Sequence, residues 1–467
     1  MLIDTPLPFV KSYLDELNKV LNQQTGVRLT RLQKAWLSFC LMGIILTNTV
    51  CWSKFERASL GKYSLTALSW MFRKSTIPWD FLLCTSVTLI LQKCGITKGN
   101  LIIDDSDRKR SKCTQEIFKT YKLKDKSSGG YINGQTIVLL LLVTELVTLP
   151  VGFRFYMPDP AKTAWIKEDN RLKKQKIAKK NRPKEPVPNP NYPTKQQLAL
   201  QLLKEFRQKH FDIKVKTIRA DALYGIGKFM DEASSLFGGI QVISQLRSDQ
   251  NVRSGNKFLN VKKYFTRNDG ITLNICIRGE YYVMATVGSA RLYVNAHGKK
   301  RFVIALKYEG ETDYRYLVAT DLSWCTKDIV QAYTLRWLVE VFFEDWKLYE
   351  GWGREAKQPD YFGTSRGLIL SLLLDHCFLL HPEQLIRLKN KLPAYTVGSL
   401  QRKTQMEALL AFIGELLEEE NPGKKLEQLS QNVQEFFQLV PSKKHMSGKN
   451  LGRLAPTPSL KYKALSA

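Results

Sequence analysis

Asn100-Leu101-Ile102-Ile103-Asp104-Asp105-Ser106 is where the character of the chain changes. Three consecutive bulky apolar residues bounded by polar ones predict a short buried strand that delivers carboxylates at its end. Upstream the pattern is helical. Apolar residues recur at helical spacing through residues 9–21, 32–46, 65–72 and 81–91, with breaks near Thr76, Pro78 and Asp80. Residues 1–97 therefore read as a helical region. Its interspersed Lys54, Arg57, Lys62, Arg73 and Lys74 suit DNA binding and a solvated packing face equally. Downstream, a basic loop (Arg108, Lys109, Arg110, Lys112) leads to Gly129-Gly130 and Asn133-Gly134, which bracket strands at 136–149 and 151–157. Consecutive strands joined by turns predict an antiparallel meander opening an α/β sheet.

Farther along, residues 162–195 carry eleven Lys/Arg against three acids, then Pro183, Pro186, Pro188, Pro190 and Pro193. That composition predicts a basic, extended segment without a core, inside a first sheet region spanning 98–251. A helix at 196–209 and a strand at 214–219 come next, the strand ending at Asp221 in Ala220-Asp221-Ala222-Leu223-Tyr224-Gly225. Residues 252–316 alternate between apolar and polar, with Gly turns and almost no helix signal, and predict an inserted all-β subdomain. Region 317–385 begins with a strand at 316–320, continues as one long helix over 326–349, and adds a helix at 366–380. Residues 386–467 read as helices at 401–420 and 424–439 with a basic tail holding Pro456 and Pro458, a region suited to dimerisation.

Composition narrows the chemistry. The 467 residues contain 71 Lys+Arg and 43 Asp+Glu, a net charge of +28, with 44% hydrophobic and 11% aromatic residues. Wholesale disorder is excluded, and so strong a positive balance points to a polyanionic partner, most often nucleic acid. The 8 cysteines contain no Cys-x-x-Cys and only 5 histidines are present, which argues against a disulfide framework or a zinc cluster. The apolar run 35–52 is interrupted by Ser38, Gly43, Thr47, Asn48 and Thr49, and 137–143 is too short to cross a bilayer as a helix. With no signal-peptide layout at the start, the expectation is a basic cytoplasmic protein with no membrane partner.

The second informative stretch is Tyr333-Thr-Leu-Arg336-Trp-Leu-Val-Glu340-Val-Phe-Phe-Glu344-Asp-Trp-Lys347. On one continuous helix, Tyr333, Arg336, Glu340, Glu344 and Lys347 fall within about 80° of one another at ~100° per residue. Leu335, Val339, Phe342, Phe343 and Trp346 take the opposite side and predict a core face. A carboxylate flanked by cations also describes any solvated face. Its company gives it meaning: Asp104 and Asp221, each after a predicted strand. Phosphodiester chemistry on DNA uses two divalent ions about 3.5–4 Å apart. Mg²⁺ takes oxygen ligands, so three carboxylates from separate elements suffice, with a basic surround for the phosphates.

These residues resemble the DDE transposases of bacterial insertion sequences, in particular the insertion-sequence-four family, whose third acid sits in a Tyr-x2-Arg-x3-Glu-x6-Lys signature. Tyr333, Arg336, Glu340 and Lys347 match each spacing; Asp104-x-Ser106 resembles the first-acid motif and Asp221-Ala222-x-Tyr224-Gly225 the second. The resemblance covers roughly 101–380. It implies an RNase H-like catalytic core with a β insertion, flanked by helical N- and C-terminal regions. It further implies that Asp104, Asp221 and Glu340 bind two Mg²⁺ ions, with Mn²⁺ as a substitute, while Tyr333, Arg336 and Lys347 grip DNA. The implied reactions are cleavage at transposon ends and strand transfer to target DNA by a dimer in a paired-end complex, with a hairpin end as one route, in a bacterial nucleoid-associated setting. A DNA-binding descendant and an RNase H-like nuclease without strand transfer are the alternatives. Asp105 and Asp107 stand beside Asp104 as candidates for the first acid. Glu344 is read as a partner for Arg336 or Lys347, and Arg247 as a DNA contact or a surface residue. Trp324, Tyr314 and Tyr316 are aromatic candidates for a base pocket that stays unassigned.

Overall fold

The computed structural model describes residues 6–110, 114, 116–125, 129–255, 257–268, 270–355 and 357–437. Lys112, Cys113 and the tail with Pro456 and Pro458 lie outside them. In chain order come α1 Pro8–Thr25, α2 Arg31–Thr47, α3 Trp52–Ala58, α4 Leu65–Lys74, α5 Trp79–Lys93, β1 Lys98–Lys109, β2 Tyr121–Lys124, β3 Tyr131–Val143 and β4 Thr148–Tyr156. The middle of the chain supplies α6 Pro160–Lys174, α7 Lys195–Lys209, β5 Lys214–Ala220, α8 Gly227–Leu236, β6 Gln241–Leu246, β7 Asn251–Ser254, β8 Lys257–Asn260, α9 Val261–Arg267 and β9 Ile271–Ile277. The remainder is β10 Tyr281–Val294, β11 Lys299–Tyr308, β12 Arg315–Ala319, α10 Thr326–Thr334, α11 Trp337–Tyr349, α12 Tyr361–Leu379, α13 Pro382–Lys389, α14 Val397–Leu417 and α15 Pro422–Phe436.

The organising element is a mixed sheet in which β3, β1, β5 and β6 are consecutive neighbours. β1 pairs antiparallel with β3, β3 antiparallel with β4, and β5 parallel with both β1 and β6. Three antiparallel strands beside two parallel ones form the RNase H-like core. These strands are covered on both faces, which is why β1 carries the apolar run Leu101–Ile103 and β3 the run Ile137–Val143. On one face lie α7 against β3 and β4, and α8 against β6; on the other lie α5 and α12 against β4, α11 against β1, and α10 against β6 and β9. α12 is apolar all round and packs on α1, α2, α4, α5 and α13. The N-terminal helices thus share one core with the sheet. No single helix among the described residues is long and apolar enough to cross a membrane.

Four sequence expectations change. β1 does not stop at Asp104 but runs to Lys109, because β3 continues to pair with it as far as Lys109↔Gly134. The β-rich 252–316 stretch is not all-β, since it contains a helix, α9, and its strands continue the same 12-stranded sheet, β12 pairing with β6 and β11, and β10 lying beyond β11. Residues 160–174 of the basic segment are helical, started by Asp159, whose side chain accepts the N–H groups of Ala161 and Lys162, and by Pro160 in the first turn. The segment still buries nothing. The long helix over 326–349 is two helices. At the join the bonds tighten to three-residue spacing, Arg336 N–H to Tyr333 carbonyl (2.9 Å) and Val339 N–H to Arg336 carbonyl (3.1 Å).

Candidate active site

The β1–β5 register ends at Ile103↔Ala220, so the next residues on these two parallel strands are Asp104 and Asp221. Neighbouring strands lie about 4.8 Å apart, and matched positions face the same side. Asp221 is held by its surroundings: its carboxylate accepts the Leu223 N–H (2.9 Å) and its carbonyl accepts the Ser244 hydroxyl (2.5 Å). A Cβ on Gly225 would collide with the Gln245 carbonyl, so only glycine lets the turn after the second acid pass beside β6.

Period two along β1 separates the three first-acid candidates. Asp104, Ser106 and Arg108 face α11 and the loop beyond it: Asp104 accepts from Arg336, Ser106 from the Trp352 indole at 3.3 Å, and Arg108 pairs with Glu355 at 2.8 Å. Asp105 and Asp107 point to the α7 face. There Asp105 meets Lys195 at 2.6 Å and Asp107 accepts the Thr136 hydroxyl at 2.5 Å. Lys195 also lies 5.2 Å from the Tyr156 ring. Nothing in the local sequence marks Lys195 as part of this rim; the signal present is the Thr194–Gln197 capping box, which fixes where α7 begins.

From the other side, α11 supplies Arg336 at its start and Glu340 one turn on. Arg336 Nη1 lies 2.6 Å from Asp104 Oδ2 and its Nη2 lies 3.6 Å from Glu340 Oε1. One guanidinium therefore links two acids that are 236 residues apart in sequence, with Asp221 beside the first. Burial pushes the Asp104 carboxyl up to about 7; Arg336 opposes this, and the neighbouring Asp221 and Asp105 charges add to it. Lys347 is lowered by burial while Glu340 and Asp107 act to raise it, which places its ammonium in the same field. Val339, Phe342, Phe343 and Trp346 form the expected buried face, with Leu335 half-buried. Glu344 is exposed, and the ion pairs of Arg336 run to Asp104 and Glu340 rather than to it.

Tyr333 is the exception among the signature residues. The tight turn assigns it to α10, where it packs with Ile329 and Val330 against β6, β11 and β12 and is 6% exposed. It contributes to the wall of a cavity of about 380 Å³ between α10, α11 and the β9–β12 strands, lined also by Tyr281, Tyr308, Trp337, Arg278 and Arg315. Trp324, Tyr314 and Tyr316 are not in that wall. Arg278 takes a left-handed φ of 54°, unusual for a side chain this large, and its N–H is fixed by the Thr334 hydroxyl at 3.1 Å. The turn that carries Arg278 is thereby tied to the end of α10 next to Arg336.

Carboxylate oxygens are the donors a hard divalent cation takes, and crowding that raises Asp104 is relieved by added positive charge. The donor set fits such an ion in kind. In this conformation Arg336 stands between two of the acids, and among the described residues no three of His, Cys, Asp and Glu are grouped closely enough to hold a metal.

Comparison with known proteins gives a family. The model of the DDE superfamily endonucleases matches residues 29–269, a span that includes Asp104 and Asp221 and stops short of Glu340. No curated protein matches the chain. Among solved structures, it is similar to a piggyBac transposase synaptic complex with hairpin DNA, determined by cryo-electron microscopy. The identity is 12% and the TM-score 0.45, over 94% of this chain and 86% of that one.

Proposed function

Since the chain belongs to the DDE superfamily of endonucleases, which use divalent metal ions, we propose that it is a cut-and-paste DNA transposase of the insertion-sequence-four type. It binds the inverted-repeat ends of its own element as a homodimer in a paired-end complex, cleaves them and transfers them to target DNA. The observation that carries this reading is the Arg336 bridge, 2.6 Å to Asp104 and 3.6 Å to Glu340, with Asp221 next to Asp104. Asp104, Asp221 and Glu340 are assigned as ligands of two Mg²⁺ ions, Mn²⁺ substituting. Bound there, divalent ions would activate the attacking oxygen and stabilise the leaving one. The chain's own task is to hold the scissile phosphate. Lys347 and a freed Arg336 supply cations beside the acids, Arg336 with the planar fork that suits phosphate. The aromatic and arginine-lined cavity next to Arg336 favours a route through a hairpin end, since an unpaired nucleotide stacks on aromatic faces.

Incubating purified protein with end-bearing duplex and Mg²⁺ is the test. Cleavage is expected, and is expected to vanish in Asp104→Ala, Asp221→Ala and Glu340→Ala; cleavage that survives all three removes the site assignment. Tight end binding without nicking would favour the DNA-binding descendant. Nicking without joining of precleaved ends would favour the nuclease.

Arg336 competes with cations for the acids, so Arg336→Gln should bind Mn²⁺ more tightly in the absence of DNA. About tenfold is expected from removing one opposing charge at a half-buried site, ~1.4 kcal/mol. End cleavage should nevertheless fall, because the phosphate grip is lost. Titration calorimetry against Mn²⁺ measures the first effect; an unchanged or weaker affinity rules out the competition.

A further inference from the structure

We infer that residues 157–195 form a DNA-docking arm that lies along the phosphate backbone next to the cleavage site and reads no sequence. This rests on the transposase reading and assigns it a binding surface. α6 has no buried residue, so the sheet gains nothing from holding it. It is nonetheless shaped. The Trp165 indole N–H donates to the Pro183 carbonyl at 2.8 Å, Arg182 pairs with Asp169 at 2.8 Å and Lys162 with Glu185 at 2.8 Å. These contacts fold the proline-rich return segment, which has no regular secondary structure, against the helix. Glu168 is taken by Arg171 at 2.6 Å, so every acid of the arm is spent internally.

What remains is positive. Lys173, Lys174, Lys176, Lys179 and Lys180 are exposed and crowd the tip of the arm, with no acid between them in sequence and no ion pair to any of them among the described residues. Lys176 adopts a left-handed φ of 59° just past the helix end, a position that favours glycine. The arm thus places a lysine where backbone preference is against it, in a cluster that repels itself. Such a cluster is relieved by a polyanion.

Both ends of the arm are anchored at the acidic rim. It leaves the sheet after Tyr156 and returns at Lys195, whose ammonium contacts the Tyr156 ring and pairs with Asp105. α6 has 15 residues, roughly 22 Å at 1.5 Å per residue, or about six base pairs at ~3.4 Å each. The base of the arm, Lys195 on Asp105, is one residue along β1 from Asp104, so a duplex whose phosphate lies at Asp104 and Glu340 has the arm rooted beside it. The lysines at the tip, Lys173 and Lys174 at the end of α6 and Lys176, Lys179 and Lys180 just beyond it, have no aromatic residue among them for a base to stack on, which suits backbone phosphates rather than splayed bases.

The test is the salt dependence of DNA binding by the full chain, wild type against a variant with Lys173, Lys174, Lys176, Lys179 and Lys180 changed to Gln. Each lost phosphate contact lowers the slope of log K against log salt by ~0.9, so five contacts lower it by about 4.5. Affinity near 0.1 M salt should fall about a hundredfold, equally for end-bearing and random duplex, and the hydroxyl-radical footprint should shorten by about six base pairs. Thermal stability and Mn²⁺ affinity should not move, which excludes misfolding. An unchanged slope and footprint overturns the arm while leaving the transposase reading intact. A loss confined to end-bearing duplex overturns it in favour of sequence reading. Unchanged DNA binding with lost binding to phosphatidylserine-containing vesicles overturns it in favour of a membrane surface. Failure of the wild type to bind DNA at all overturns the functional reading itself.

Discussion

Asp104→Asn is expected to lose divalent-metal-dependent cleavage by at least about a thousandfold, ~4 kcal/mol of transition-state stabilisation, and yet to be more stable than the wild type when metal-free. Burial raises the carboxyl from 3.8 to about 7. Below pH ~4 it is protonated in folded and unfolded chains alike and costs nothing. Between ~4 and ~7 the unfolded chain ionises while the folded one resists, so folding loses stability as pH rises; above ~7 the loss is complete. The difference between 3.8 and about 7 sets a ceiling of ~4 kcal/mol. Asparagine cannot ionise, but it also removes the 2.6 Å contact from Arg336, so a net gain of about 1–3 kcal/mol is expected at pH 8 and none at pH 4. Urea denaturation of both proteins at the two pH values measures it. Mg²⁺ should raise the melting temperature of the wild type and not of the variant, because ligands stabilise only what they bind. A variant that cleaves normally, or a stability difference that ignores pH, would dismiss Asp104 as both ligand and strained acid.

That strain also explains why part of the site is legible in the sequence and part is not. Leu101–Ile103 is recognisable because a buried parallel strand is apolar, whereas the strand before Asp221 mixes Lys214, Lys216 and Arg219 with the β-branched Val215, Thr217 and Ile218 that mark it as a strand. Asp104 to Lys109 is entirely polar, and as sequence it looks like a loop. It is a strand because its inward-facing members find partners far along the chain: Ser106 with Trp352, Arg108 with Glu355. Those partners satisfy groups that would otherwise be costly to bury, and no local pattern announces them. The joining of the β-rich region to the main sheet is likewise a pairing between β6 and β12, some seventy residues apart. The break between α10 and α11 has a different origin. Composition supports an uninterrupted helix, and a single tightened turn moves Tyr333 off the face it shares with Arg336 on a helical wheel. For α6 the local cap, Asp159-Pro160, is a sound start signal, but the charge and proline content of residues 162–195 outweighs it in a reading by composition. Asp105 and Asp107 fall away from Arg336 by strand alternation alone, once the strand is known to continue.

Trp346→Ala should be among the most damaging core substitutions, for a reason that reaches the site. The indole is fully buried, lies 4.7 Å from Trp352 in a stacked arrangement and 5.4 Å from Phe342, and donates to the Ser371 hydroxyl at 2.6 Å. Ser371 in turn donates to the Glu350 carbonyl at 2.6 Å, closing the end of α11. Trp352 reaches β1 through Ser106 and lies 5.7 Å from the Arg108 guanidinium. The two stacked indoles therefore set the height of α11 over β1, and with it the position of Glu340 relative to Asp104. Emptying the site removes apolar burial, leaves a cavity and takes away the donor to a buried hydroxyl, about 3–5 kcal/mol together. Trp346→Phe keeps most of the volume and loses the hydrogen bond and part of the stack, about 1–2 kcal/mol. If the stack positions α11, the phenylalanine variant, still fully folded at 25 °C, loses more cleavage than DNA affinity, because Glu340 shifts relative to Asp104 while the exposed lysines outside α11, those of residues 157–195 among them, do not. Denaturant midpoints together with cleavage and binding on the same preparations decide it. A phenylalanine variant with wild-type cleavage would confine the pair to packing, and an alanine variant destabilised by less than about 1 kcal/mol would mean that the core closes over the gap.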